Sequence, residues 1–137
     1  VIQRRVPFAA FQKAVYRLLR ETISARVYDD VPHGAEKPYV TLEHFTSKMG
    51  GSKLDSTSSV SLTIHIYSDY EGKSEVNRII DEICTAYSCW ELDLSMSSFR
   101  VVAQDVDFVE VLPEEVTGYH GVVTVTALIQ DTSGGLI

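Results

Sequence analysis

The sequence predicts an α+β domain: a mostly antiparallel sheet with two amphipathic helices packed on one face. Three observations lead there. Two segments repeat apolar residues at three- and four-residue spacing, the period of a helix. Others alternate apolar with polar residues, the period of a strand. The strand-like segments also follow one another through links that suit antiparallel neighbours. The chain has 137 residues, 45% of them apolar, which supports one core and leaves little room for a second. The expected domain spans residues 8–132, with residues 1–7 and 133–137 as flexible tails.

Phe8 to Ser24 reads as the first helix. Phe11, Val15, Leu18, Leu19, Thr22 and Ile23 share one side, while Gln12, Lys13, Arg17, Arg20 and Glu21 fill the wetter one. Pro7 suits the first turn, where a missing N–H costs nothing. Arg26 to Asp30 is short and extended. Two prolines and a glycine between Val31 and Pro38 predict a loop of fixed shape. Tyr39 to Thr46 is a strand built on Val40, Leu42 and Phe45. Ser47 to Ser58 carries paired glycines and many hydroxyl residues, so a long exposed loop is expected.

Ser59 to Ser68 is the clearest strand, with Val60, Leu62, Ile64 and Ile66 alternating with Ser61, Thr63, His65 and Tyr67. Gly72 to Tyr87 is the second helix, and Val76, Ile79, Ile80, Ile83 and Tyr87 form its buried stripe. Ser68 and Glu71 fit a capping box, although Gly72 weakens a helix begun so early. Glu91 to Ser95 is a short strand candidate. Phe99 to Val111 is a long strand whose alternation slips near Ala103–Val106, the signature of a bulge. Pro113 to Gly118 turns the chain into a last strand, His120 to Thr132, with Val123, Val125, Ala127 and Ile129 on one face.

The residues supply no recognisable chemistry. A net charge of −7 argues against a generic nucleic-acid or anionic-membrane surface, which needs clustered cations. No apolar run reaches the ~18 residues that would span a bilayer. None of His33, His44, His65 and His120 is three or four residues from another, so no helix-borne metal pair exists. His44 and His65 lie on strands that can pair, but no third ligand can be nominated. Asp105 and Asp107 alternate on one strand and read as a solvated acidic edge, which discourages aggregation. No serine sits in a nucleophile elbow. Gly50-Gly51-Ser52-Lys53 lacks the spacing of a phosphate loop and precedes a strand. Cys84 and Cys89 are five apart and read as reduced thiols. The expectation is a protein without catalysis, cofactor or metal.

Several strings, in order, resemble the siphophage tail-completion family, also called tail-terminator or tail-to-head joining proteins. They are Phe11-Gln12-Lys13-Ala14-Val15-Tyr16; Val27 through Ala35 and on to Pro38-Tyr39-Val40; Leu62 through Ser68 with Gly72 and Glu75-Val76; and Tyr119-His120-Gly121-Val122. The resemblance covers about Phe8 to Asp131. It implies an antiparallel sheet with helices against it, and a structural role in the virion, in the neck of the tail. It further implies a ring, expected to be a hexamer, that terminates the tail tube and joins the head connector. The implied partners are other copies of the chain, the major tail tube protein, the head-completion or stopper protein, and the tape-measure protein. DNA would pass through the lumen without specific binding, and no membrane would be involved. The protein would be made in the host bacterial cytoplasm.

Two loops and the polar sheet face remain uncommitted to the core. The candidate assembly contacts are therefore Val31, Pro32, His33, Lys48, Met49, Lys53 and Leu54. The alternative is a small-ligand or peptide-binding module without catalysis, using the polar sheet face.

Overall fold

The structure, a computed structural model, describes residues 5–49 and 56–133. The first helix, α1 (Phe8–Thr22), buries Phe11, Val15 and Leu19, one residue per turn. Pro7 caps it, and its carbonyl accepts the Phe11 N–H at 2.9 Å. Thr22 does not join the apolar stripe: it is exposed and its hydroxyl donates to the Leu18 carbonyl. The helix stops there, and Ile23, extended beyond the end, reaches the core instead.

A five-stranded sheet follows in the order β1-β2-β3-β5-β4. Its strands are β1 (Arg26–Tyr28), β2 (Tyr39–Met49), β3 (Thr57–Ser68), β4 (Phe99–Pro113) and β5 (Tyr119–Asp131). β1 pairs parallel to β2, and every other pair is antiparallel. The second helix, α2 (Ser74–Cys89), lies between β3 and β4 in the chain. The fold is thus α+β with a mostly antiparallel sheet, as the periodicities predict.

Both helices cover the same face. α1 lies over β1 and β2, while α2 lies over β3, β5 and β4. Under them sit Val60, Leu62, Ile64 and Ile66 of β3 and Val123, Val125, Ala127 and Ile129 of β5, none more than 4% exposed. Val76, Ile79, Ile80, Ile83 and Tyr87 close the layer from α2. Gly121 is the close approach in this layer: a β-carbon there would lie 2.9 Å from Val76 Cγ2 and 3.1 Å from Ile80 Cδ1. Side chains of α2 and Ile66 of β3, rather than another backbone, occupy the space that glycine leaves.

Three further expectations change. The Ser47–Ser58 loop is shorter than its composition suggests, because Ser47, Lys48 and Met49 continue β2 opposite Val60, Ser59 and Ser58. Backbone pairing beside a formed strand overrides weak local propensity. Residues 50–55 lie outside the described residues. Glu91 to Ser95 is not a strand. Leu92 and Leu94 are buried there, a 3-10 turn follows at Ser95–Ser97, and the Leu92 N–H goes to the Gln104 side chain instead of a ladder. The capping box is absent as well: α2 begins at Ser74, and buried Ser68 donates to Glu75 while accepting the Tyr70 N–H.

Gln104 has a further use. Its amide donates to the carbonyls of Tyr87 at 2.7 Å and Trp90 at 2.8 Å, satisfying acceptors that the end of α2 leaves open. Near the chain start, Arg5 stacks over the Phe99 ring and pairs with Asp131 through two hydrogen bonds. It also donates to the carbonyls of Ser97 and Ser98. These bonds tie residue 5 to the ends of β4 and β5.

Candidate assembly surface

The sheet's second face carries neither helix. Register sets its composition, because residues opposite one another share a side. Tyr67 stands between Tyr39 and His120, His65 between Thr41 and Val122, Thr63 between His44 and Thr124, and Ser61 between Thr46 and Thr126. Hydroxyls and rings therefore form rows across three strands. A shallow depression of about 400 Å³ lies among Thr46, Lys48, Ser61, Asp105 and Thr126.

One end of this face is aromatic. Ring centroids run 5.8 Å from Tyr28 to Tyr39, 5.2 Å on to Tyr67, and 4.6 Å on to His120. His65 meets His120 with 2.6 Å between Nδ1 and Nε2. The histidine that β3 brings to a partner is thus His120 of β5, while His44 stands opposite Thr63. Glu43 reaches this cluster because it is the extra residue of a bulge between Leu42 and His44. Its carboxylate accepts from Thr41 and, at 2.9 Å, from the Tyr67 hydroxyl. It also lies 4.0 Å from His65.

The electrostatics follow from these contacts. Burial pushes the Glu43 carboxyl up, but the bonds from Thr41 and Tyr67 outweigh it and hold the group below its ordinary value. Burial lowers His65; Glu43 opposes that and His120 adds to it. Burial and Glu43 raise the Tyr67 hydroxyl well above the usual phenol range. The cluster favours a neutral imidazole and a neutral phenol around one carboxylate.

A bulge interrupts the alternation between Asp105 and Asp107. β4 carries two bulges, at Val102 and Asp107, which flank the predicted slip. Asp105 stands opposite Thr126, and Asp107 is the unpaired bulge residue. Both are exposed on the outermost strand. Among the described residues, no group of three or more His, Cys, Asp or Glu is placed to hold a metal ion. Cys84 and Cys89 are free thiols; burial, with help from Asp81, pushes the Cys84 thiol up. No described helix is long and apolar enough to cross a membrane.

The candidate contacts fall into two groups. Val31, Pro32 and His33 are exposed in the loop before β2, beside Gly34 at φ +79°. Lys48 and Met49 end β2, and Lys53 and Leu54 lie outside the described residues. Val31, Pro32 and His33 thus belong to the connection from β1 to β2, and Lys48 and Met49 to the far end of β2 itself. Sequence reasoning missed Glu43, although its signal was present. Val40, Leu42 and Phe45 are spaced by two and then three, the phase slip of a bulge.

The family model described as tail completion protein gp17 matches residues 11–130. Among solved structures, a chain from the virion of a native gene transfer agent particle superposes with a TM-score of 0.80 at 21% identity. The match covers 90% of this chain and 96% of that one. The gp17 protein of bacteriophage SPP1 superposes with a TM-score of 0.58 at 16% identity, covering 95% of this chain and 96% of its own. At these identities the structures speak for the fold. No curated protein sequence matches the chain.

Proposed function

The chain belongs to the tail completion protein gp17 family, a structural protein of the phage tail, and from that premise we propose that it closes the tail tube as a ring and joins it to the head connector. The observation that carries this reading is the family match across residues 11–130. A joint between tube and connector needs two binding ends. The loop holding Val31, Pro32 and His33 joins β1 to β2, while Lys48 and Met49 end β2, which offers two separate segments to two partners. The role asks for no reacting group, so the protein works by contact alone. A ring of about six copies has a lumen for DNA, and a chain of net charge −7 favours passage over binding.

Native mass spectrometry and electron microscopy, with and without tail tube protein, test this proposal. The expected result is a closed ring that seats on tube ends. A chain that stays monomeric and never decorates tube ends would overturn it.

A further inference from the structure

A closed ring needs two unlike surfaces that meet around the circle. Two such surfaces lie at opposite sides of this sheet. On one side α1 covers β1 and β2, and its buried stripe is Phe11, Val15 and Leu19. Lys13, Arg17 and Arg20 recur at four and three residues, on the side of the helix turned away from that stripe. All three are exposed, and among the described residues none forms an ion pair. Glu21 is the one carboxylate of the helix. In a chain of net charge −7 this is a local reversal of sign.

On the other side β4 is the outermost strand, with one ladder edge unpaired. It and the following turn hold Asp105, Asp107, Glu110, Glu114 and Glu115 against the single cation Arg100. The strand is also apolar where an edge is usually blunted. Phe108 is 50% exposed, Val109 44% and Leu112 41%. Phe108 and Val109 are neighbours on opposite faces of the strand, so apolar surface shows on both sides. Charge alone would discourage pairing. Charge combined with exposed apolar side chains fits a surface kept for one oppositely charged partner.

We infer that the β4 edge of one copy docks on the outer face of α1 of the next, with Asp107 and Glu110 facing Arg17 and Arg20. This contact rests on the ring proposed above and says which surfaces close it. Being heterologous, it propagates head to tail. Its charged part weakens with salt, because the Debye length falls from about 10 Å to about 3 Å between 0.1 and 1 M.

A charge swap tests it. The variants are Arg17→Glu with Arg20→Glu, and Asp107→Lys with Glu110→Lys. All four positions are exposed, and unchanged circular dichroism and melting confirm that both variants fold. Each variant alone is expected to associate at least about 10-fold more weakly than the parent. Mixed, they should recover rings in which the two variants alternate, because every contact then pairs opposite charges. If the parent forms rings and either variant still does so unaided, or if the mixture stays dissociated, the contact lies elsewhere and the inference fails. If the parent forms no ring even with tube ends present, the ring reading itself fails and takes this contact with it.

Discussion

The two faces of the sheet are made by the same strands, yet different things hold them. On the covered face, Leu62, Ile64 and Ile66 are fully buried beneath α1 and α2, and burial is the whole of their chemistry. On the other face, Ser61, Thr63, His65 and Tyr67 are half-buried by one another and bonded sideways into rows. The first face makes the domain. The second is available to whatever the domain meets. If this division is right, substitutions should grade in cost from the first face to the second.

The largest effect belongs to the covered face. Ile64 is fully buried between β2 and β5, beneath the helices. Ile64→Ala should cost about 3 kcal/mol, the lost transfer term plus the cavity left behind. Urea denaturation reads this directly. A loss no larger than that of Thr63→Ala, its neighbour on the other face, would erase the distinction between the faces.

That contrast also explains what the sequence could and could not reveal. Alternation in Val60 through Tyr67 named the buried side of β3 correctly, because burial selects residue type one position at a time. The stripe Val76, Ile79, Ile80, Ile83 and Tyr87 was legible on α2 for the same reason. Pairings that depend on register were not. His65 meets His120, 55 residues away, and no local pattern announces that. Glu91 to Ser95 resembled a strand because Leu92 and Leu94 alternate, but both are buried and the Leu92 N–H bonds the Gln104 side chain instead of a ladder. Of the candidate site, the exposed Val31-Pro32-His33 loop was legible from its prolines and glycine, whereas the charged edge of β4 and the basic side of α1 become complementary only once folding sets them apart.

Gln104 ranks next, because it sits where the covered face meets the end of α2. Its amide group bonds the carbonyls of Tyr87 and Trp90 and accepts the Leu92 N–H at 3.0 Å. Gln104→Ala leaves these backbone groups to whatever water can reach them, so a loss of about 2 kcal/mol is expected. Hydrogen exchange should quicken first at Leu92. Unchanged exchange there, together with unchanged stability, would mean that water replaces the side chain fully.

Arg5 marks the rim of the covered face, stacked on Phe99. Its hydrogen bond is the largest influence on Asp131, which is held well below the usual carboxylate range. A depressed carboxyl contributes stability above its unfolded pKa of about 3.9 and loses it as pH falls through the folded value. Arg5 is 37% exposed, so solvent screens the pair, and Arg5→Ala should cost only about 1 kcal/mol near neutral pH. The difference between parent and variant should shrink below about pH 4. A difference that stayed constant down to about pH 2 would place the contribution in stacking on Phe99 rather than in the ion pair.

The smallest effect is expected on the second face, at His65. Burial lowers its pKa, Glu43 pulls the other way, and His120 lowers it further. The imidazole is therefore easier to protonate in the unfolded chain. Its contribution is present above about pH 6.5 and is lost as pH falls from there toward the folded value. Glu43 and Asp131 are depressed carboxyls, so their terms are lost only at lower pH, and the windows separate. Between about pH 8 and about pH 5.5 the parent should lose up to about 1 kcal/mol, and His65→Gln should lose less. Melting curves of both proteins at the two pH values decide it. Equal pH dependence would move the titration to another group. The second face would then bear on stability through its hydrogen-bonded rows alone, and the contrast between the two faces would be sharper than the cluster at His65 suggests.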